Sequence, residues 1–334
     1  MATTYAPYIT GLVQLGKEVT SGTEVAADVI WRGPHGTWVD AGDHRMVEEQ
    51  IGILAPSGQR YTVSKKATLA LPETEATYEQ ITHILEAGLG AGVETSSGPS
   101  IYTWTMADAA VAPTIKTYTV ETYNALAPDD QTLSVNAFVE SFSLSGEMPG
   151  PLMVSANWVG HDNTTAGTHT TGLTPDPNLE MVTNDVLRYW EADYTTNVVE
   201  VPDVLQSFSL DVTTGLQQVY STDKTGAVAI KYTQPEITFS FTFELEEESA
   251  VSQVALLRAD YRAITQKRFR LRWQHGGSTR DLYFTWAGHL TEISAYEESD
   301  GNTLVTISGV GKYNENNGEF FEAVLRHPTA GLLA

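Results

Sequence analysis

The chain has 334 residues, with 42 acidic against 19 basic side chains and a formal net charge of −23. Hydrophobic residues at 41% and charged residues at 18% are enough to build a core, which excludes wholesale disorder. The absence of cysteine excludes a disulfide framework, a zinc ribbon and a thiol nucleophile. Such acidity repels nucleic acid and anionic lipid unless basic groups gather on one face. The first basic residue is Lys17, and no apolar run approaches the roughly 20 residues of a membrane span. The expected compartment is therefore the cytosol, or a particle assembled there.

Residues 1–28 read as an N-terminal arm. Ala67–Leu71 reads as a strand and is followed by a helix over Thr77–Ala87, where Thr77 and Gln80 stand at capping-box spacing and Gly88 suits the terminator. Leu133–Leu144 alternates apolar and polar residues, and Leu152–Val159 follows the GEMPGP turn as its hairpin partner. The segment His161–Glu180, rich in Thr, Gly, Pro and Asn, reads as a linker or long exposed loop. Glu236–Leu245 has the cleanest strand pattern: Ile237, Phe239, Phe241, Phe243 and Leu245 share one face, while Thr238, Ser240, Thr242 and Glu244 share the other. A second helix is expected over Ser249–Tyr261. Strands follow at Phe269–Trp273, Leu282–Trp286, His289–Tyr296 and Thr303–Val310, and a tail begins at Asn314.

Displacing the chain against itself by about 151 positions reveals a weak internal repeat. FSLSGEMPGPLMVSANWVG, ending at Gly160, lies over ISAYEESDGNTLVTISGVG, ending at Gly311, with inward and outward positions in phase. This predicts a mainly β (α+β) chain of two tandem units, each with one helix: residues 29–175 and 176–313, with a C-terminal tail over 314–334. The motif SFSL recurs at Ser141–Leu144 and Ser207–Leu210 outside that offset.

No catalytic or cofactor-binding constellation is signalled. The chain lacks a Gly-x-Ser-x-Gly elbow, a phosphate-cradling G-x-x-x-x-G-K-[ST] and a dinucleotide fingerprint. His161, Asp162 and His169 lie on a loop with nothing to space them, so no metal site is assigned. Carboxylate pairs for glycoside hydrolysis meet in space, and the sequence singles out none. The basic segment KRFRLRW places Arg268, Arg270 and Arg272 on one strand face. That stripe reads first as a solvated face opposite the core, then as a protein–protein interface, and last as a nucleic-acid contact, with Glu244 and Glu246–Glu248 as natural partners within one subunit or between subunits. Trp158, Trp273 and Trp286 fall where alternation buries them.

WRGPHGTWVDAG (Trp31–Gly42), VEEQIGILAPSGQRY (Val47–Tyr61), ATLALPETEATYEQITHILEAGL (Ala67–Leu89) and the hairpin FSLSGEMPGPLMVSANWVG (Phe142–Gly160) together resemble the long form of the major tail tube protein of siphophages. The resemblance covers most of residues 30–160 and extends more weakly over the second half. It implies two tandem β-sandwich or barrel units with flanking helices, and no enzymatic activity. It also implies trimeric rings of pseudo-sixfold symmetry, stacked into a tube that conducts viral DNA during ejection. The implied partners are further copies of the chain, a tape measure protein, and tail terminator and distal tail or baseplate proteins. Double-stranded DNA would be a passing cargo and no membrane would be engaged. The implied location is the virion tail, assembled in the host cytoplasm. On this reading Thr238, Ser240, Thr242 and Glu244 are lumen-lining candidates. Assembly-interface candidates are Arg268, Arg270 and Arg272, together with Phe320, Phe321, Val324 and Leu325 on the apolar side of the tail. Deleting residues 314–334 is expected to leave the fold intact and to impair polymerisation. The competing expectation is a non-catalytic β-sandwich binding module for carbohydrate or a host receptor, presenting an exposed aromatic groove.

Overall fold

A computed structural model of the chain describes residues 8–46, 60–96, 99–106, 114–162, 164–165, 169–193, 198–201, 205–221, 226–245, 253–275, 279–299, 301–315, 318–329 and 332. Among the described residues the fold is mainly β, with large antiparallel sheets and two α-helices. The first half contains β1 (Gly11–Lys17), β2 (Val29–Ile30), β3 (Val39–Asp40), the paired β4 (Asp43–Met46) and β5 (Arg60–Ser64), and β6 (Ala67–Glu75). It continues with α1 (Ile81–Leu89), β7 (Val93–Ser96), β8 (Ser100–Met106), β9 (Tyr118–Asn124), β10 (Ala127–Glu147), β11 (Met153–Gly160) and β12 (Thr164–Thr165). The second half contains β13 (Leu187–Asp193), β14 (Val199–Val201), β15 (Leu205–Thr213), β16 (Leu216–Val219), β17 (Ala229–Tyr232) and β18 (Glu236–Glu244). After α2 (Gln253–Ala263) come β19 (Lys267–His275), β20 (Arg280–Ile293), β21 (Glu297–Ser299), β22 (Asn302–Gly311) and β23 (Phe321–His327).

The principal sheet runs β3–β6–β11–β10–β15–β18–β22–β20, antiparallel throughout. Strands β10 and β20 are long enough to leave it and enter a second layer, where their N-terminal parts pair with β9 and β19. That layer contains β2–β1–β9–β10 on one side and β14–β13–β19–β20–β23–β8–β7 on the other. Among the described residues these pairings close no circuit, so the principal sheet keeps two edges. The change of layer happens at permissive residues. Asn136 takes a positive φ of 54° at the bend of β10. At Gly288, in β20, a Cβ would come 2.5 Å from the Val310 carbonyl oxygen, so only glycine allows that approach. The two strands expected at Leu282–Trp286 and His289–Tyr296 are consequently one bent strand.

The pairing order occurs twice. In sequence order β1, β2, β3, β6, β9, β10 and β11 have the same neighbours as β13, β14, β15, β18, β19, β20 and β22. The register repeats as well. Phe138 faces Val159 and Ser141 faces Asn157; His289 faces Val310 and Glu292 faces Ser308, each position displaced by 151 residues. Even the β-bulge recurs, after Val139 in β10 and after Leu290 in β20. The SFSL motifs that break the offset lie side by side instead: β10 pairs with β15 from Ser141–Thr213 to Glu147–Ser207, joining the two halves.

The period-2 pattern accounts for the core. Ile237, Phe239, Phe241 and Phe243 are buried as their alternation requires. Phe239 and Phe241 pack against Phe269 and Trp286 at centroid separations of 4.8–6.0 Å. Trp158 and Tyr118 pack edge to face in the first half. One hydrophobic cluster contains residues of both halves, including Leu69, Trp158, Phe241 and Trp286.

Helix α1 starts later than the Thr77 signal indicates. The Thr77 hydroxyl accepts from the Gln80 N–H at 3.1 Å, but the Gln80 side chain donates to the Ile30 carbonyl at 3.0 Å instead of reaching back. Half a capping box forms, and it makes a turn ahead of the helix. The helix also continues through Gly88, and Gly90, with φ 96°, ends it. Gly88 allows close packing, since a Cβ there would lie 3.1 Å from the Thr214 methyl. In α2, Val254 and Leu257 are buried, and the expected start at Ser249 lies outside the described residues.

The expected arm and tail are built into the fold. Strand β1 pairs with β9 over its whole length, burying Val13 and Leu15. Strand β23 is held on both sides, by β20 and by β8. The His161–Glu180 connection is docked along the first half: Thr170 donates twice to Glu121 at 2.8 Å, and its hydroxyl accepts from the Ala27 N–H at 2.9 Å.

Candidate assembly surface

Alternation in the principal sheet directs apolar residues to the core and short polar residues to the other face. Thr238, Ser240, Thr242 and Glu244 all lie on that outer face, half-buried among neighbouring strands. Their ladder extends across the sheet. Thr242 shares a 3.1 Å hydrogen bond with Thr306, and Ser308 donates to Ser240 at 3.3 Å. Gln206 donates to Glu244 at 2.8 Å. Across the seam Ser143 donates to Asp211 at 2.5 Å, and within the first half Ser145 donates to Glu73 of β6 at 2.6 Å. On the first-half side, Asn157 donates to Ser141 at 3.0 Å.

No lysine or arginine occurs in β6, β11, β15, β18 or β22, nor in the principal-sheet portions Phe138–Glu147 of β10 and Gly288–Ile293 of β20. The register puts Glu73, Glu147, Asp211, Glu236, Glu244 and Glu292 among the outer-face groups. A groove of about 460 Å³ follows the seam on this face, lined by Glu73, Ser145, Glu147, Ser209, Ser240 and Thr242. Phe208, the aromatic residue in its lining, is buried. Among the described residues the groove presents hydroxyls and carboxylates, and the carboxylates repel polyanions.

The arginine stripe on β19 lies opposite the core, in the second layer, and its groups are engaged within the chain. Arg272 makes a two-pronged ion pair with the buried Asp281, at 2.8 and 2.6 Å, which raises its pKa. Arg270 donates to Thr285 at 2.8 Å and lies over the Tyr283 ring at 4.6 Å; burial lowers its pKa. Arg268 pairs with Glu319. The expected partner Glu244 instead takes Gln206, and Glu246–Glu248 lie outside the described residues. The apolar tail residues are likewise used internally: Phe321, Val324 and Leu325 are buried in β23, and Phe320 packs against the same core. They dock on their own subunit because β23 fills the gap between β20 and β8.

Sequence reading missed a second tie between the halves. Glu79, just before α1, accepts from His327 of β23 at 3.0 Å. The other His327 nitrogen, Nδ1, accepts from the Thr329 N–H at 3.1 Å. Arg280 reaches Glu79 at 3.8 Å and also pairs with Glu180. These partners are too distant in sequence for any local pattern to announce them. A further buried set sits below α1: Glu86 accepts from Tyr118 at 3.0 Å and pairs with Lys17 at 2.9 Å. Nearby, burial lowers the pKa of His83 to about 4, with the Lys17 charge adding to the shift.

Of the loop residues considered for metal, Asp162 pairs with Lys65 at 2.6 Å, and His169 lies against the Tyr123 ring. Among the described residues, no group of three His, Asp or Glu side chains is placed to hold a metal ion. No helix among them is long and apolar enough to cross a membrane. No family model and no curated protein matches the chain.

Proposed function

We propose that the chain is a structural subunit that assembles with itself into stacked rings forming a hollow conduit for DNA, as the siphophage tail tube does. The observation that carries this reading is the principal sheet: a repeated strand order joined edge to edge through β10 and β15, in strand segments that contain no lysine or arginine. Such a face suits the wall of a channel for DNA. Carboxylates and hydroxyls repel or ignore phosphate, so a duplex slides past without the cation contacts that produce binding. The two tandem units correspond to two sectors of a pseudo-sixfold ring, and three chains complete it. Thr238, Ser240, Thr242 and Glu244 then line the lumen. On this reading the partners are further copies of the chain, a tape measure protein in the lumen, and terminator and distal tail or baseplate proteins at the ends. The location is the virion tail, after assembly in the host cytoplasm. The chain performs no catalysis.

Negative-stain electron microscopy of the purified chain over a concentration series tests the proposal. Hollow tubes or stacked rings with threefold or pseudo-sixfold end views are expected. A chain that stays monomeric at high concentration, and also when mixed with tail-tip complexes that nucleate tubes, would remove the reading.

A further inference from the structure

We infer that Lys267, Asp260 and Glu191 form a self-processing site: the Lys267 amine condenses with the Asp260 carboxyl to an isopeptide bond, and Glu191 carries the proton. The bond forms within one folded chain, and the inference is independent of the assembly reading above.

Lys267 opens β19 on the face that also carries Phe269, Leu271 and Trp273, so alternation turns its side chain into the core. Only 7% of that side chain is exposed. Its Nζ donates to Asp260 Oδ2 at 2.8 Å and lies 3.3 Å from Glu191 Oε1. Glu191, 8% exposed, accepts a 2.7 Å hydrogen bond from Tyr189, whose ring packs on Phe241 and Phe243. One carboxylate is enough to balance the lysine; the second is a base within reach of the same nitrogen. The turn after α2 sets the two reactants together. The Thr265 N–H donates to the Asp260 carbonyl at 3.0 Å, and the exposed Ile264 takes φ 55°. A β-branched residue in the left-handed region is strained, and here the strain lies in the turn that aims Asp260 at Lys267. The first half has a lysine–glutamate pair at the equivalent corner, Lys17 with Glu86 at 2.9 Å. Lys17 keeps 25% exposure, and water opposes a condensation, so no bond is expected there.

Bond lengths place Nζ within about 4 Å of Asp260 Cγ, a small rotation from the roughly 3–3.5 Å of an attacking pair. The Lys267 ammonium passes one proton along its hydrogen bond to Oδ2, which leaves an amine beside a carboxylic acid. Burial favours such a neutral pair over unsolvated charges. The Nζ lone pair attacks Cγ, and the carbonyl electrons move onto Oδ1. Glu191 takes the second proton from nitrogen and delivers it to the Oδ2 hydroxyl. That group leaves as water while the carbonyl re-forms, and the third proton stays on the amide. The sum is one amide bond and one water, with Glu191 regenerated and no external reagent consumed. Fixing amine and acid side by side supplies the rate that the free groups lack. The bond anchors α2, whose buried side chains among the described residues are Val254 and Leu257, to β19.

Intact-mass spectrometry of the purified full chain tests the site. The parent should be lighter than its sequence by the mass of one water. Trypsin should release a branched peptide that joins Ala259–Arg262 to Ala263–Arg268, with two amino termini in its fragment spectrum. Lys267→Arg should restore the full sequence mass. Glu191→Gln, which cannot take the proton, should do the same while retaining the parent's circular dichroism spectrum. Asp260→Asn keeps an electrophilic carbonyl and should still condense, losing ammonia in place of water. A parent chain at its full sequence mass would overturn the inference, as would a water loss that maps to other residues. A bond formed to the same extent in Glu191→Gln would overturn the role of Glu191 as proton carrier.

Discussion

Ser143 and Asp211 share a 2.5 Å hydrogen bond across the seam between β10 and β15, although 68 residues separate them in sequence. On the opposite face of the next position, Leu144 stands against Leu210 in the core. The two faces of the seam therefore have different jobs. Leu210→Ala should destabilise the chain by about 2–5 kcal/mol, as large-to-small core changes do. Ser143→Ala should shift stability by no more than about 1 kcal/mol. Urea denaturation of the two variants checks the contrast.

Strand β23 is an integral strand, flanked by β20 and β8. Deleting residues 314–334 should therefore yield insoluble or unfolded protein, and the earlier expectation of a folded but non-polymerising chain gives way. Leu325→Asp, which places a charge in the same core, should lower the thermal midpoint strongly. A folded, monomeric deletion product in a melting experiment would show that β23 is dispensable.

Arg280 sits between Glu79 and Glu180, with His327 completing the cluster. Removing its charge leaves two carboxylates facing each other. Arg280→Ala should cost about 3 kcal/mol, the lower end for a buried pair because Arg280 keeps 24% of its side-chain exposure. Glu79→Gln in the same background should restore part of that loss. Strict additivity of the two substitutions in chemical denaturation would show that the groups are uncoupled.

His83 is held neutral, with its pKa lowered from 6.5 to about 4. The unfolded chain binds this proton between those two values while the folded chain does not. Stability should consequently fall as pH drops from about 6.5 towards 4, by at most about 3 kcal/mol, and level off below that. His83→Gln should flatten this segment of the stability profile. An unchanged profile in the variant would assign the acid sensitivity to other groups.

The outer face should accept cations without loss of fold. Ser209→Lys combined with Thr242→Lys places two ammonium groups beside the seam groove and should leave the melting temperature within a few degrees. Assemblies of this variant should acquire salt-dependent affinity for double-stranded DNA, absent in the parent, with a salt slope of about 0.9 for each phosphate neutralised. Gel-shift titrations at several salt concentrations measure it.

Sequence alone determined the strands with strict alternation, because period 2 is a local property. The Glu236–Glu244 strand buries Ile237, Phe239, Phe241 and Phe243 as their spacing demands. It also carried the offset of 151 residues, which the registers of β10–β11 and β20–β22 reproduce down to the bulge. Tertiary structure alone decided what the arginines and the tail do. Arg272 finds Asp281, and Leu325 is buried between strands of both halves, through pairings that no local window contains. It also moved the start of α1, since Gln80 prefers the Ile30 carbonyl 50 residues away to its own capping partner. The seam between the SFSL motifs belongs to the same class. Closing a loop of that length costs chain entropy that the paired strands and their buried face must offset, so its partners are set by the folded surface and not by neighbours in the chain.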